Sequence, residues 1–445
     1  MTQAPAKNQS YRSDFRTAEQ ATDSPAWLRD VRAEAMARFE ELGFPTARKG
    51  NEKWKYTNVA PIARSEFGFD PKRDLNGLNA DSLTVAVPWH ETWHRLVFVD
   101  GVFAKDLSSR PEAANGVRVS SLAEALVSDN GAVQEHLAKH ALFEDDGFAA
   151  LNTAFVRDGA YVRVTSNVTL ETPIHLVFVS TGRAEPTVSY PRVLLVAEAG
   201  SRATVIESYV ALGDGEYFND AVSETVLGEG AEIEHYRLQA EGESAFHVGT
   251  ARVVQAEGSN YSSSAFFKGS SLGRYDLSVL LDGPGSTCRL NGLYMTSGSQ
   301  HQDNNINIEH AKPHTTSRLY YKGILDGKSR AVFGGTVLVR KEAQKTDALQ
   351  SDKNLVLSPD AEVDSKPALF IYADDVKCGH GATAGNIDLD TVFYMRSRGL
   401  DVDAASRLLI YGFARESIDT VREQHLKSYL ESLFLESLPK YRFEF

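Results

Sequence analysis

The feature of this sequence that most limits its fold is a repeat of 27 to 30 residues in its second half. Small turn-forming pairs recur at Gly200-Ser201, Gly230-Ala231, Gly258-Ser259 and Gly285-Ser286, at intervals of 30, 28 and 27 residues, and Pro313-His314 follows 28 residues later. An apolar run precedes each pair and an alternating run follows it. Such repetition is typical of stacked coils, in which each coil buries its apolar face only against its neighbours. The sequence therefore predicts a β-solenoid.

The same repeat predicts which side chains point into the solenoid. Ala203, Ile233, Tyr261 and Cys288 occupy equivalent positions after successive turns, so they should form one inward column. Because a free cysteine behaves as a small apolar residue, Cys288 is interpreted as a core residue rather than a reactive thiol.

The pattern of apolar and polar residues changes along the chain and divides it into four regions. Residues 1–23 are polar and aperiodic and are expected to be disordered. Region 24–157 is predicted to be helical and mixed, and region 158–395 a right-handed parallel β-helix core. Region 396–445 is predicted to be a helical domain that caps the solenoid and shields its open edges. The predicted fold class is mainly β with α caps.

Local signals add detail to the N-terminal region. Ser24 is placed to cap a helix that has Pro25 in its first turn and ends at Gly43. Residues 95–103 predict a hairpin around Asp100-Gly101, and residues 121–126 predict a short helix.

Composition excludes several classes of partner. The 445 residues carry a formal net charge of −13, so no basic excess is available for binding a phosphate backbone, and nucleic acid is not expected as a partner. No apolar run approaches the length of a bilayer span, and the N-terminus lacks the apolar segment of a secretory signal. Two cysteines are too few for a disulfide framework. We therefore expect a cytoplasmic protein without a membrane partner.

A fragment of a phosphate-binding motif occurs at Gly327-Lys328-Ser329. The full motif needs a further glycine five positions earlier, where this chain has Lys322, and a helix after the loop. β-rich sequence follows instead. The segment is interpreted as a turn of the solenoid, and the chain is not expected to bind ATP.

Two histidines form a weak candidate for a metal site. His310 and His314 lie near Asp303 and Glu309, and imidazole with carboxylate suits a divalent metal. A turn at Pro313 separates the two histidines, so their convergence is open. The alternative is that they are ordinary turn and strand residues of a polar coil.

The most concentrated candidate lies in segment 371–390. Cys378 and His380 are two residues apart, so in a strand their side chains share one face. A thiolate and an imidazole suit iron or zinc, but two ligands do not complete a tetrahedral site. Either another chain supplies the remaining ligands, or the pair is structural. A nucleophilic Cys–His pair would need a third orienting group, and none is recognised.

Several phrases of the sequence resemble the SufB/SufD family, the paired scaffold subunits of the sulfur-mobilisation (Suf) system. The likeness runs from about residue 24 to about 435, and within the family it favours the SufD side because of the phrase VKCGHGAT. Gly379 departs from the serine that is common in this phrase, and Gly334 replaces a residue that is usually polar. The phrases that carry the resemblance are EKWKYTNV (52–59), LNTAFVRDGAYVRV (151–164), AQKTDALQSDKNLVLS, AEVDSKP, ADDVKCGHGAT and FYMRSRG.

The resemblance implies a non-catalytic subunit of an iron–sulfur cluster assembly complex. Its β-helix would pair with a SufB-like paralogue, and a transient cluster would form near that interface with His380, and to a lesser degree Cys378, as ligands. A homodimer is the open alternative for the isolated chain. A SufC-like ATPase would dock on the C-terminal helices, at a surface that includes Tyr394, Arg396, Arg398, Leu408, Tyr411 and Phe413.

Two other functions remain open at this stage. A carbohydrate-acting β-solenoid enzyme would share the fold, although such enzymes are typically exported. A pure interaction scaffold would hold partners together without ligating iron. Reconstitution with iron and sulfide, with and without the paralogue, would separate the scaffold from the ligating subunit.

Overall fold

A computed structural model describes residues 8–20, 24–48, 50–69, 78, 80–110 and 116–438. The helices are α1 (Asn8–Gln20), α2 (Ala26–Leu42), α3 (Ala60–Arg64), α4 (Ala80–Ala86), α5 (Leu122–Ser128), α6 (Asn130–His136), α7 (Gly147–Phe155), α8 (Leu389–Ser397), α9 (Val402–Ile418) and α10 (Gln424–Ser437), with a short 3₁₀ helix at Lys105–Leu107.

Twenty strands are present in the described part of the chain. The first ten are β1 (His94–Val99), β2 (Val102–Phe103), β3 (Val117–Ser121), β4 (Ala160–Val164), β5 (Ile174–Ser180), β6 (Thr187–Ser189), β7 (Arg192–Ala197), β8 (Arg202–Ala211), β9 (Tyr217–Leu227) and β10 (Glu232–Ala240). The rest are β11 (Phe246–Gln255), β12 (Asn260–Lys268), β13 (Leu272–Leu281), β14 (Thr287–Thr296), β15 (His301–His310), β16 (Thr316–Leu325), β17 (Arg330–Val339), β18 (Asp347–Val356), β19 (Glu362–Ile371) and β20 (Lys377–Gly385).

The strands form two long sheets that together make a parallel β-solenoid. Sheet 1 has the order β2-β1-β5-β8-β10-β12-β14-β16-β18-β20, and sheet 2 has the order β19-β17-β15-β13-β11-β9-β7-β4-β3, with β6 beside β9. From β8 onward the chain alternates between the sheets, and each strand pairs in parallel with the strand two steps later. One strand from each sheet makes one rung. The predicted β-solenoid is confirmed.

The turn pairs found in the sequence occupy the same corner of successive rungs. Gly200, Gly230, Gly258 and Gly285 have φ of 68°, 64°, 63° and 70°, and His314 has φ of 60° at the next rung. This left-handed conformation costs glycine little because glycine has no Cβ. The chemical cause of the repeat is therefore one backbone geometry used at every rung.

The predicted inward column is also confirmed. Ile233 pairs with Ala203 and Tyr261, and Tyr261 pairs with Cys288. All four side chains belong to the apolar core between the two sheets, and Cys288 is fully buried. Burial raises the pKa of the Cys288 thiol well above its usual range, so the group stays protonated.

Helices cover the outward faces of the sheets rather than the end of the solenoid. Apolar residues of α2 and α7 pack on β9, β11 and β13 of sheet 2. Apolar residues of α9 and α10 pack on β8, β10, β12, β14 and β16 of sheet 1. The expected shielding of the open edges by the C-terminal helices is therefore wrong, because their apolar faces match the exposed face of sheet 1 instead.

The N-terminal segment differs from its predicted disorder. Residues 8–20 form α1, and Tyr11 and Phe15 make edge-to-face contacts with Phe39 and Phe155 at 5.4 and 6.1 Å between ring centroids. These aromatic residues lie four apart, on one helix face, within an otherwise polar segment. Residues 1–7 and 21–23 of the predicted tail, and residues 439–445 of the C-terminal region, lie outside the described residues.

The other local predictions need one correction. Helix α2 begins at Ala26 with Pro25 in the capping position, and no side chain caps it, so Ser24 is not the N-cap. Gly43 ends the helix with φ of 60°, as the sequence indicates. Strands β1 and β2 form the predicted antiparallel hairpin, with positive φ at both residues of the Asp100-Gly101 turn.

Candidate functional site

The solenoid ends in an uncovered rung, which we call the terminal rung and which consists of β19 and β20. These strands are the last of sheets 2 and 1, and their outer edges pair with no other strand of the described residues. Most side chains of β20 are exposed, and so are Phe370, Ile371 and Tyr372 at the end of β19. An unpaired edge presents backbone N–H and C=O groups that can accept a strand from another chain.

Cys378 and His380 lie on this terminal rung with their side chains on one face. Cys378 pairs with Ala348 and His380 with Gln350 of β18. Both positions extend columns that are buried in earlier rungs, the first through Cys288 and the second through Leu319. The shared face predicted from the spacing is therefore confirmed, and it is the inward face of the solenoid.

The two side chains nevertheless have different surroundings. Cys378 is half-buried and packs against the apolar core, and burial raises the pKa of its thiol. His380 is exposed at the open end. A protonated, partly covered thiol is a poorer ligand than an accessible imidazole. Within the part of the chain that is described, no three His, Cys, Asp or Glu side chains come together to hold a metal ion.

His310 and His314, the weaker pair, have separate roles in the fold. His310 is fully buried, with Nδ1 2.7 Å from the Thr315 hydroxyl and Nε2 2.9 Å from the Ser317 hydroxyl. Burial lowers the pKa of His310 to about 4, so the ring is neutral. His314 is exposed at the left-handed corner of its rung. The structure therefore does not support a metal site at these two residues, because both ring nitrogens of His310 already make hydrogen bonds.

The interior beneath the terminal rung is polar, which the sequence reasoning missed. Gln350, Asp352 and Asn354 alternate along β18, and Asn354 donates a hydrogen bond of 2.7 Å to Asp352. Burial raises the pKa of Asp352 to about 6. Extending the inward register of the solenoid into QSDKN (350–354) places Gln350, Asp352 and Asn354 on the inward face. The sequence could therefore have shown this polar interior.

The glycine–lysine–serine fragment lies in a solenoid turn. Gly327 has φ of 68°, and the Lys328 N–H donates to the Gly298 carbonyl of the preceding rung at 2.7 Å. Strand β17 follows directly, and no helix begins there. The interpretation as a turn is confirmed.

The predicted docking residues on the C-terminal helices divide into two groups. Tyr394, Arg396, Arg398 and Leu408 are exposed, whereas Tyr411 and Phe413 are half-buried against the solenoid. Lys322 of β16 binds the Phe413 carbonyl at 2.9 Å and lies over its ring. Those two residues therefore attach α9 to the solenoid.

Further apolar side chains on the same helices were missed from the sequence. Phe393 is 72% exposed and Leu389 is 60% exposed on α8, one helical turn apart. Tyr394 of α8 and Leu408 of α9 are exposed as well, and we call these four side chains the α8–α9 patch. None of the helices in the described residues is both long and apolar enough to cross a bilayer.

Two family models match nearly the whole chain. The SufBD protein N-terminal region matches residues 5–176, and the SufBD core domain of the SUF system for FeS cluster assembly matches residues 178–413. The second match covers the solenoid from the end of β5 onward, helix α8 and α9 up to residue 413.

Individual relatives agree with these models. The iron-sulfur cluster assembly protein SufD of Escherichia coli is 33% identical over 91% of this chain and 93% of its own length. An iron-sulfur cluster assembly SufBD family protein of Synechocystis is 34% identical over 84% of this chain and 83% of its own. Protein ABCI7, chloroplastic, of Arabidopsis thaliana is 30% identical over 90% and 83%. From these matches and the solenoid fold, the chain belongs to the SufBD family of iron–sulfur cluster assembly proteins.

Proposed function

We propose that this chain is a SufD-type subunit that pairs with a SufB-like paralogue through its terminal rung. The observation that carries the proposal is the unpaired edge of β19 and β20, which bears exposed apolar side chains at Phe370 and Tyr372, 52% and 64% exposed. Strand addition at such an edge satisfies the backbone groups and buries these rings. Where the paralogue is absent, the same edge offers a route to a homodimer.

Iron and sulfide are the substrates of this site in the proposed complex. His380 supplies an imidazole ligand for iron at the interface, and Cys378 supplies a secondary sulfur ligand. Since the described residues of this chain bring only these two donors together there, the paralogue supplies the remaining ligands. The cluster is held in transit, and the chain has no catalytic step of its own.

The proposed docking site for a SufC-like ATPase is the α8–α9 patch. Exposed apolar groups next to Arg396 and Arg398 suit a protein partner, because aromatic and arginine side chains dominate binding energy at interfaces. ATP binds to that partner and not to this chain. The complex works in the cytoplasm, away from membranes and nucleic acid.

Pairing through the terminal rung is tested by co-purification with a SufB-like paralogue. The double variant Phe370→Asp/Tyr372→Asp places two charges on the edge, and we expect it to lose the paralogue at concentrations where the wild type retains it. Leu142→Asp is the matched control, since Leu142 is 58% exposed in the N-terminal region. Retention of the paralogue by the double variant would contradict the proposal.

A further inference from the structure

Three side-chain oxygens at this end of the solenoid, two on β18 and one on β19 of the terminal rung, are buried without a well-formed hydrogen bond to any described residue. They are Oε1 of Gln350, Oδ1 of Asp352 and Oγ of Ser365. The Gln350 and Asp352 residues are 3% and 1% exposed. Buried polar groups in folded proteins are nearly always satisfied, so three such oxygens in one place need a physical explanation.

The three oxygens lie directly inside the candidate cluster site. Gln350 pairs with His380, and Asp352 pairs with Ala382 on β20. The next inward residue of β20 is Ala384, so only small, exposed side chains separate this region from the open end. Ser365 lies on the facing strand β19, with its hydroxyl close enough to the Asp352 carboxylate to hydrogen-bond with it. This contact, together with those of Asn354 and Tyr294, lowers the pKa of Asp352 against the larger, opposite effect of burial.

Asp352 also lacks the positive partner that another inward carboxylate has. Glu207, deeper in the solenoid, is ion-paired with Arg237 and lies 3.4 Å from His235. Asp352 makes no ion pair with any described residue. An uncompensated buried charge is expensive, so the fold leaves a place here for a positive charge.

The donor set indicates what kind of positive charge fits. A carboxylate, an amide carbonyl and a hydroxyl are hard oxygen ligands, which suit a divalent cation and repel anions. The amide oxygen of Gln350 occupies room left by Gly335, because a Cβ added there would lie 2.6 Å from it. The oxygen is thus held within the core instead of reaching solvent.

We propose that Gln350 and Asp352 of β18, with Ser365 of β19, form a binding site for a divalent metal cation on the inward side of His380. The cation is ferrous iron held as cargo before it reaches the cluster. This proposal rests on the proposed function for its cargo, but the site itself belongs to this chain alone.

The test is Mn²⁺ binding to the purified full-length chain, followed by loss of the free-ion EPR signal, with anaerobic Fe²⁺ as competitor. We expect the wild type to bind Mn²⁺ and Fe²⁺ to displace it. Asp352→Asn keeps the shape and removes the charge, and it should weaken binding by about tenfold or more. Gln350→Leu should also weaken binding, and it fits the column because Leu290 and Leu319 occupy the same register. Asp375→Asn, at an exposed carboxylate near β20, is the control and should bind as the wild type does.

The outcomes separate this proposal from the proposed function. His314→Ala should leave Mn²⁺ affinity unchanged, since this exposed imidazole lies at a corner of the solenoid and is not part of the oxygen site. Should Asp352→Asn not fold, as shown by circular dichroism, Gln350→Leu carries the test alone. No Mn²⁺ binding by the wild type, or wild-type affinity in the folded variants, would overturn the interior site. A failure of the paralogue to pair would instead count against the proposed function.

Discussion

His310 and His380 both face inward, and the difference between them is the presence of a further rung. His310 is enclosed and pairs in register with Val339, so its ring is buried and satisfied by two hydroxyls. His380 has no rung above it among the described residues and stays accessible. The same residue type is therefore a core group in one place and a candidate ligand in the other.

The neutral state of His310 predicts sensitivity to acid. Its pKa is about 4 in the folded chain, against about 6.5 for an unfolded histidine. Between these values the unfolded state binds more protons, so the stability falls as the pH drops from about 6.5 to about 4, by about 3 kcal/mol at most. Urea unfolding at pH 7.5, 6 and 5 measures this slope.

Replacing His310 should flatten that dependence. His310→Gln retains hydrogen-bonding groups but does not titrate, whereas His314→Gln changes an exposed histidine and should leave the slope as it is. His175 is also buried, and burial lowers its pKa to about 3, so part of the slope will remain in the variant. A wild-type slope in His310→Gln would show that this histidine is not held neutral.

At the scale of elements, segment 52–59 fastens the N-terminal region to sheet 2. Lys53 bonds Asp276 at 2.8 Å, and the Arg274 guanidinium lies 4.0 Å from the centre of the Trp54 ring. Thr57 donates to Asp303 of β15. This segment, one of those that carry the family resemblance, therefore joins the N-terminal region to the solenoid. It also reaches the terminal rung, where Lys366 of β19 lies 3.7 Å from the Glu52 carboxylate and 4.9 Å from the centre of the Tyr56 ring.

The C-terminal helices combine an attachment face and an exposed face. Ile410, Ala414 and Ile418 of α9 are fully buried in the cluster that covers sheet 1. Removing residues 402–445 would expose that sheet face, and any loss of binding would then include unfolding. Substitutions confined to the α8–α9 patch separate the two effects.

Phe393→Asp should abolish co-purification of a SufC-like ATPase and leave the melting temperature of the chain unchanged. The reason is that Phe393 is largely exposed here, so its loss costs little packing, while a charge in the centre of an apolar interface opposes docking. Val127→Asp, at a residue 88% exposed on α5, controls for a surface charge elsewhere. Normal ATPase binding by Phe393→Asp would place the docking surface away from this patch.

At the scale of the whole molecule, the sequence predicts the structural features that recur at every rung. It does not predict the features that occur only once. The corner glycines and the column through Cys288 could be read because one backbone geometry recurs at each rung. The placement of the helices could not, since an amphipathic helix shows that it has an apolar face but not which sheet covers it. Helix α1 was missed because its few aromatic residues matter only once Phe39 and Phe155 are beside them.

The candidate site was predictable to a similar degree. Strand alternation placed Cys378 and His380 on one face, which the register confirms. That this face belongs to the last rung depends on where the stack stops, and the burial of Asp352 depends on β20 lying over β18. Both are long-range properties, and a local pattern does not contain them.

The proposed role of His380 of the terminal rung is to help hold the nascent cluster, and the cluster content of the complex is the measurement that tests this role. The measurement is iron and acid-labile sulfide per complex, anaerobically purified with the paralogue and the ATPase. We predict that His380→Ala lowers both by about tenfold with the subunit composition intact, that Cys378→Ala lowers them less, and that His314→Ala retains the wild-type content. Wild-type iron and sulfide in the His380→Ala complex would contradict the claim.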